Sequence, residues 1–512
     1  MASTDPKRPN ILFILSDDQG PWAMNCAGTP ELKTPNLDQL AATGVRFDNF
    51  FCASPVCSPA RATILTGQMP SQHGVQDFLR AGNSAGLPDD GKRIQYLEGR
   101  TTYTEILAAN RYDCGLSGKW HLGDSAAPQA GFSFWDVHAT GSGDYYRAPM
   151  FRVPASSISS GQEAEQYTAD GYVSDVITDN AIGHLEAQSG SGNPFSLNVH
   201  YTAPHAPWGR GQHPKDLYDD YFENCAFDSV RWDPIHPNHL AKEGSSGSVG
   251  ATGEERRAIL SGYFAAITAM DANIGRLIDW LERNGLRENT LIVFTADNGM
   301  NMGHHGIWGK GNGTYPPNMF DTAVKVPTLM SRPGHVPQGV VNTDLLSHYD
   351  VMPTLLDYAG PAASNGAETG NRDSIDLPGR SFVPVLNGEP LSANRPVVVL
   401  DEYGPTRMIR NRSTKYIHRY PDGPNEFYDL VADPGETSNE IGNPAFRGAI
   451  EGMRTELQDW FDRYTEPAHD GTKQAVKGRG QTDLIGAISD SEAFAQDLTY
   501  RRDLANTKRI QD

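Results

Sequence analysis

Three short stretches of this 512-residue chain carry side chains able to do chemistry at useful spacings. Two are acidic and follow apolar runs. Asp17-Asp18 comes after residues 10–15, and Asp297-Asn298-Gly299 comes after residues 290–295. If those runs are neighbouring strands, three carboxylates and one amide oxygen converge, and they repel one another unless a cation sits among them. An all-oxygen set suits a hard cation, calcium or magnesium, rather than zinc. In isolation, Asp-Asp and Asp-Asn-Gly are also ordinary turn residues after a strand. The third stretch is Cys57-Ser58-Pro59-Ala60-Arg61. A free cysteine is usually a small buried hydrophobe, and by itself the pentapeptide supports that reading as well as it supports a nucleophile. Further polar residues stand at Lys119 and His121, at His205 between two prolines, at the pair His304-His305, and at Lys310. Taken singly, each histidine is equally a packed core or loop residue, and each lysine a solvated surface charge.

These residues need a frame. Residues 10–15 form a continuous apolar run, as expected of a strand buried on both faces. A helix is expected at 35–43, with Thr34 as N-cap, Pro35 at its first position and Gly44 ending it. Residues 103–109 read as helical. Val173, Val176, Ile177 and Leu185 mark an amphipathic helix, and residues 195–200 a strand. Ile267, Met270, Ile274, Leu277 and Leu281 recur at helical spacing in a long helix over 254–281, followed by the strand 290–295. Alternation of this kind predicts an α/β fold, a large mostly parallel sheet sandwiched by helices. Open sheets of that type bind ligands at the carboxyl ends of their strands, where both acidic pairs lie. After about residue 375 the pattern changes. Short strand-like segments at 396–400, 407–410, 415–418 and 426–429 predict a smaller antiparallel sheet, covered by a helix over 450–461. The expected division is 1–375 for the α/β domain, 376–465 for the α+β subdomain and 466–512 for a wrapping tail. The Pro-, Gly- and Ser-rich stretch 232–253 reads as a loop.

Composition narrows the partners. A formal net charge of −20 without a basic run opposes nucleic-acid binding, so an anionic substrate requires a local cationic site. No apolar run approaches the roughly 20 residues that span a bilayer, and no membrane partner is expected. No apolar stretch precedes the first strand. Five cysteines, Cys26, Cys52, Cys57, Cys114 and Cys225, are odd in number and scattered, which argues against a disulfide framework. A cytoplasmic location is the expectation, or a secreted or periplasmic one for a chain already trimmed of a signal.

Taken in order, five segments resemble the formylglycine-dependent (type I) sulfatases of the alkaline phosphatase superfamily, over nearly all of residues 8–465. Cys57-Ser-Pro-Ala-Arg61 matches that family's Cys-x-Pro-x-Arg modification signature, in which a maturation enzyme oxidises the cysteine to an aldehyde. The resemblance assigns Asp17, Asp18, Asp297 and Asn298 as metal ligands, with the modified Cys57 completing the set, and Arg61 as the residue that stabilises it. Gly118-Lys119-Trp120-His121-Leu122-Gly123 matches the second signature. Ala203-Pro204-His205-Ala206-Pro207 matches a segment carrying a further active-site histidine, and Lys310 matches a sulfate-binding lysine.

The resemblance implies a sulfuric ester hydrolase working through a formylglycine hydrate and one divalent cation, Ca2+ ahead of Mg2+. Arg61, Lys119 and Lys310 would offset the sulfate charge. One hydroxyl of the hydrate, its pKa lowered by the metal, attacks sulfur. His205, assisted by Lys310, protonates the departing ester oxygen. The second hydroxyl then collapses to expel sulfate, and His121 accepts the proton. Carbohydrate sulfates are the expected substrates, with aryl sulfates as the other class. His304 is the expected substrate contact, and Gln72-His73-Gly74-Val75 a further segment facing the substrate. Trp208, Trp308 and Tyr315 are candidates to stack on a sugar or aryl ring, and Lys473, Lys477 and Arg479 to meet a polyanion. A homo-oligomer is an open expectation. The competing readings are a phosphonate monoester or phosphodiester hydrolase of the same superfamily, and a non-catalytic sugar-binding relative in which Cys57 stays intact.

Overall fold

The computed structural model describes residues 8–80, 82, 93–153, 164–188, 190–239, 252–360, 376–391, 395–401, 406–420, 423–473 and 480–485. Its strands are β1 (Asn10–Ser16), β2 (Val45–Phe47), β3 (Phe50–Phe51), β4 (Asp113–Lys119), β5 (Phe134–His138), β6 (Pro149–Val153), β7 (Glu165–Thr168), β8 (Phe195–His200), β9 (Thr290–Ala296), β10 (Thr328–Ser331) and β11 (Val340–Asn342). All but β3 join one ten-stranded sheet in the order β11-β2-β10-β9-β1-β8-β4-β5-β6-β7. Its centre, β9-β1-β8-β4-β5, is parallel. The flanking strands β10, β6 and β7 pair antiparallel. The α/β reading holds, and the sheet is mixed at its margins.

The first seven helices are α1 (Pro35–Ala42), α2 (Cys57–Thr66), α3 (Pro70–His73), α4 (Tyr103–Ala109), α5 (Val173–Gln188), α6 (Lys215–Asn224) and α7 (Gly253–Arg283). Strand β1 shows why they lie on both sides of the sheet. Its side chains alternate. Ile11, Phe13 and Leu15 enter a core with α2 and α4, while Leu12 and Ile14 enter another with α1, α5 and α7. A strand covered twice has no polar face, hence its unbroken apolar run. Thr34 stands at the N-cap of α1, but its hydroxyl accepts the Asn25 N–H instead of capping the helix. That end is held by Asp271 of α7, whose carboxylate accepts the Asn36 and Leu37 N–H groups.

The C-terminal strands Val397–Asp401, Thr406–Arg410, Thr414–Arg419 and Glu426–Asp429 form an antiparallel sheet of four. The helix Arg447–Arg463 covers one face, with Met453, Leu457 and Phe461 against Val398, Leu400, Ile409 and Tyr416. From the opposite face, Val397, Val399, Met408 and Ile417 run into the main core. The expected boundary at 375 falls among residues outside the described set, as do Lys477, Arg479 and residues 240–251 of the 232–253 loop. Among the described residues, no helix is long and apolar enough to cross a membrane.

Candidate active site

Strands β1 and β9 are parallel neighbours with Ser16 opposite Ala296. The residues that follow them, Asp17-Asp18 and Asp297-Asn298, therefore stand side by side at the carboxyl edge of the sheet, all buried. Asp297 Oδ1 accepts the N–H groups of both Asp18 (3.1 Å) and Asn298 (2.9 Å). Asp18 takes a left-handed backbone, φ 62°, which L-residues avoid. The Tyr263 hydroxyl of α7 braces it, donating to the Asp18 carbonyl (3.0 Å) and accepting the Gly20 N–H (2.9 Å). Nothing in the sequence pointed to Tyr263, which sits on the periodic apolar face of a long helix.

Cys57 is the first residue of α2, where the helix dipole presents its positive end. Its Sγ lies 3.4 Å from Asp17 Oδ1, 3.8 Å from Asp18 Oδ1 and 2.8 Å from Lys310 Nζ. Pro59 falls in the first turn, where its missing N–H costs nothing. Arg61 is one helical turn beyond Cys57 and so on the same face. Its Nε and Nη2 reach Asp297 Oδ2 at 3.0 and 2.9 Å, and its Nη1 donates to the Lys119 carbonyl at 3.0 Å. Burial, then the nearby Asp17 carboxylate, pushes the Cys57 thiol up to about 12. As encoded, this sulfur is a protonated thiol at neutral pH and a poor nucleophile.

Lys119 ends β4 and is fully buried, with Nζ 2.6 Å from Asp17 Oδ2. Lys310 Nζ is 2.6 Å from Asp18 Oδ1. His205 sits between two cis bonds, Ala203–Pro204 and Ala206–Pro207. Its Nδ1 is 2.7 Å from the Ala206 carbonyl, which only accepts, so Nδ1 carries the proton; Nε2 is 3.6 Å from Asp18 Oδ2. At 24% side-chain exposure, His205 is the group of this cluster that solvent reaches most readily. His121, φ 54°, directs Nε2 to the Leu79 carbonyl at 3.1 Å, and its Nδ1 has no hydrogen-bond partner among the described residues. Burial, then the charges of Lys119 and Arg61, holds this imidazole well below its ordinary pKa, so it is neutral.

The carboxylates differ in state. Burial and the Asp297 charge raise Asp17. Burial also works against charge on Asp18, but Lys310 and then His205 outweigh it and hold Asp18 low. Asp297 is held far below the carboxylate range despite burial, because Arg61, Lys119 and Lys310 face it. Burial alone would lower Lys310, yet Asp18 keeps its ammonium charged. Three carboxylates thus meet three cationic side chains, and the buried Asn298 Oδ1 has no hydrogen-bond partner among the described residues. Donor atoms of Asp17, Asp18, Cys57 and His205 lie within 4.8 Å of one another. Crowded hard oxygens and an orphaned amide oxygen fit a divalent cation held by Asp17, Asp18, Asp297 and Asn298.

Other candidates fall elsewhere. His304 meets Asn301 and Trp22: its Nδ1 is 2.6 Å from the Asn301 carbonyl, and its ring lies 4.9 Å from that of Trp22. His305 stacks on Phe320 at 3.7 Å. The segment around His73 does not face a substrate. Its ring is buried, with Nε2 on the Thr63 hydroxyl of α2 and Nδ1 accepting the Val75 N–H, so it packs the nucleophile helix from behind. Trp308 lies in a core cluster, and Trp208 packs beside it with its indole N–H bonded to the Pro204 carbonyl. Lys473 pairs with Asp470. A Cβ on Gly141 would come within 2.3 Å of the His121 ring, which makes this glycine part of the site's wall. A cavity of about 550 Å³ lined by Arg8, Asp113 and Trp280 opens at the amino ends of the strands, away from this cluster.

Comparison with known proteins bears on the whole chain. The family model described as Sulfatase matches residues 9–361, and one described as N-sulphoglucosamine sulphohydrolase, C-terminal, matches residues 303–462. An N-acetylglucosamine-6-O-sulfatase of Bacteroides thetaiotaomicron is 26% identical, over 94% of this chain and 91% of that protein. An ulvan-active sulfatase of Formosa agariphila is 30% identical, over 86% of this chain and 79% of that protein. A solved structure described as a complex with its substrate D-glucosamine-2-N,6-O-disulfate aligns with a TM-score of 0.68 and 26% identity, over 91% of this chain and 100% of its own.

Proposed function

The chain belongs to the sulfatase family, and from that premise we propose that it hydrolyses sulfate monoesters of carbohydrates, with Cys57 as the modified nucleophile position. Membership makes it a sulfuric ester hydrolase and implies a metal ion and a formylglycine in general. The proposal adds that Cys57 carries the formylglycine, through a maturation enzyme, and that Ca2+, ahead of Mg2+, is the ion held by Asp17, Asp18, Asp297 and Asn298. The observation that carries it is Cys57 Sγ lying within 3.8 Å of Asp17, Asp18 and Lys310 together. A thiol raised to about 12 is consistent with a residue that needs conversion before it can react.

The formylglycine hydrate, when formed, supplies the attacking oxygen, and the bound cation lowers that oxygen's pKa and draws off negative charge. The chain's own residues do the rest. Arg61 ties Asp297 to the nucleophile helix. Lys119 and Lys310 place ammonium groups beside Asp17 and Asp18. Because three cationic side chains already balance three carboxylates, a divalent cation leaves the centre net positive, which suits an anionic ester in a chain of net charge −20. His205, partly exposed and with Nε2 facing Asp18, is placed to give a proton from Nε2 to the departing oxygen when both ring nitrogens are protonated. His121, buried and neutral with Nδ1 unpartnered among the described residues, is placed to accept one. A sulfated saccharide is the class that the glucosamine and ulvan sulfatase relatives support.

The test pairs mass spectrometry of the Cys57 peptide, from cells that hold the maturation enzyme, with a panel of defined sulfated sugars assayed beside p-nitrophenyl sulfate and an aryl phosphate diester. Loss of the thiol mass in favour of an aldehyde, with sugar sulfates turned over fastest, is the expected result. A higher rate on the phosphate diester would move the chain to the phosphonate and phosphodiester hydrolases. An intact thiol with no turnover would make it a binding relative.

A further inference from the structure

The segment Gly480–Ile485, far beyond the two sheets, returns to residues 74–80. Gln481 is completely buried. Its main chain bridges that segment, with its N–H donating to the Phe78 carbonyl (2.8 Å) and its carbonyl accepting the Arg80 N–H (2.9 Å). Its side chain holds the same segment at two more points. Oε1 accepts the Gln76 N–H (3.0 Å), and Nε2 donates to the Gly74 carbonyl (3.1 Å). Gly480 adds an N–H to Asp77 Oδ2 (3.1 Å). A buried amide satisfied at both ends orders whatever it bonds, since breaking either bond leaves a polar group stranded.

Leu79 is the residue clasped between Phe78 and Arg80, and its two main-chain groups both lead to the active site. Its N–H donates to Ser58 Oγ (3.2 Å), next to Cys57. Its carbonyl meets His121 Nε2 (3.1 Å). A carbonyl only accepts, so Nε2 must carry the proton and Nδ1 must hold the lone pair. The Leu79 carbonyl therefore sets both the tautomer and the tilt of His121, as a partner on the far nitrogen does for other working histidines.

We propose that Gln481 is a positioning residue for the sulfatase reaction: it fixes Leu79, and through Leu79 it keeps His121 in the Nδ1-acceptor tautomer while tying down the first turn of the nucleophile helix. This rests on the reading of His121 as the proton acceptor. The C-terminal strap is then a working part of the catalytic centre.

A double-mutant cycle on the full-length, formylglycine-bearing protein tests it, with p-nitrophenyl sulfate as substrate. Gln481→Met keeps the volume and main-chain bridge while losing all three side-chain amide bonds, to Gln76, Gly74 and Asp483. It should lower kcat by roughly ten- to a hundredfold and leave KM within about twofold. In the His121→Ala background the same change should lower kcat no further. Gly480→Ala, whose Cβ would lie 2.6 Å from Phe78 Cε2, displaces the segment by a separate route and should reproduce the non-additive loss, which decides the matter if Gln481→Met fails to fold. An unchanged kcat in the folded strap variants, or losses that multiply with His121→Ala, would overturn the proposal. Normal turnover by His121→Ala itself would instead sink the assignment of His121, and the strap's role with it.

Discussion

Two clusters of buried charge in this protein use the same side-chain types and end in different states. At the seat of the small sheet, Asp321 meets Lys325 (2.9 Å), Lys415 (2.6 Å) and Arg410 (3.2 Å). Glu436 pairs with Lys415 and accepts the Asp321 N–H. Three cations thus serve two carboxylates. Burial opposes charge on Asp321, but Lys325 and then Lys415 hold it well below the carboxylate range. At the active centre three cations serve three carboxylates. Asp17 is raised, the Cys57 thiol is crowded by the same charge, and Asn298 Oδ1 has no partner among the described residues. Burial raises Glu436, but the seat has one more cation than carboxylates and joins elements far apart in sequence. The active centre lacks the surplus cation of the seat, and its crowded carboxylate oxygens can take up a divalent ion. A buried ion cluster is therefore not one kind of object, and the ratio of cations to carboxylates separates the structural case from the chemical one.

Several experiments can break or sharpen that contrast. Cys57→Ala should cut sulfate-ester turnover by at least about 10⁴-fold with the thermal midpoint nearly unchanged; appreciable turnover in that variant would end the chemical reading of the cluster. Removing the cation with a chelator should cost about a thousandfold in rate, a few kcal/mol of transition-state stabilisation, and should lower the melting temperature. Calcium or magnesium should restore both, while a chelator-insensitive enzyme would refute the cation assignment.

The matched pair Lys310→Met and Lys415→Met addresses the comparison most directly. Lys310→Met should lower kcat/KM by about 10²–10³-fold and barely move stability. Lys415→Met strands buried carboxylates, which costs about 3–5 kcal/mol and is read as an earlier thermal transition, with activity per folded molecule within about threefold of the parent. If the two variants exchanged phenotypes, the distinction would fail. The smallest effect is expected from Gly141→Ala, whose Cβ would press on the His121 ring. A roughly tenfold loss of kcat at constant KM would place that ring in the reaction, and no loss would free it from that role.

Much of the centre was legible in sequence because its parts follow strand ends and a helix start. Asp17-Asp18 and Asp297-Asn298 each terminate an unbroken apolar run, and a buried parallel strand delivers its next residues to the carboxyl edge. The Cys57–Arg61 spacing is one turn of the helix that starts at Cys57. Histidines were harder to place. His205, His304 and His305 stand in Gly- or Pro-rich stretches and His73 ends the one-turn helix α3, and the direction of each ring depends on contacts made after the chain has folded. His73 was misplaced for that reason: its ring turns inward onto Thr63. Tyr263, Leu79 and Gln481 carried no local mark, because a hydroxyl, a main-chain carbonyl or a side-chain amide becomes part of a site only through its neighbours.

By itself, then, the order of residues determined the α/β alternation, the small second sheet, the two acidic strand ends and the nucleophile motif. These depend on periodicity, turn chemistry and short-range spacing, all of which operate within a few residues. Tertiary structure alone decided that β1 and β9 are neighbours, which is what turns two ordinary turns into one cluster. It also decided which lysine neutralises which carboxylate, that His121 holds its lone pair on Nδ1, and that a residue more than 350 positions away holds the carbonyl responsible. Those outcomes depend on burial and on distances of a few ångströms between distant segments. In a low-dielectric interior such distances set charge states and tautomers, and no local pattern encodes them.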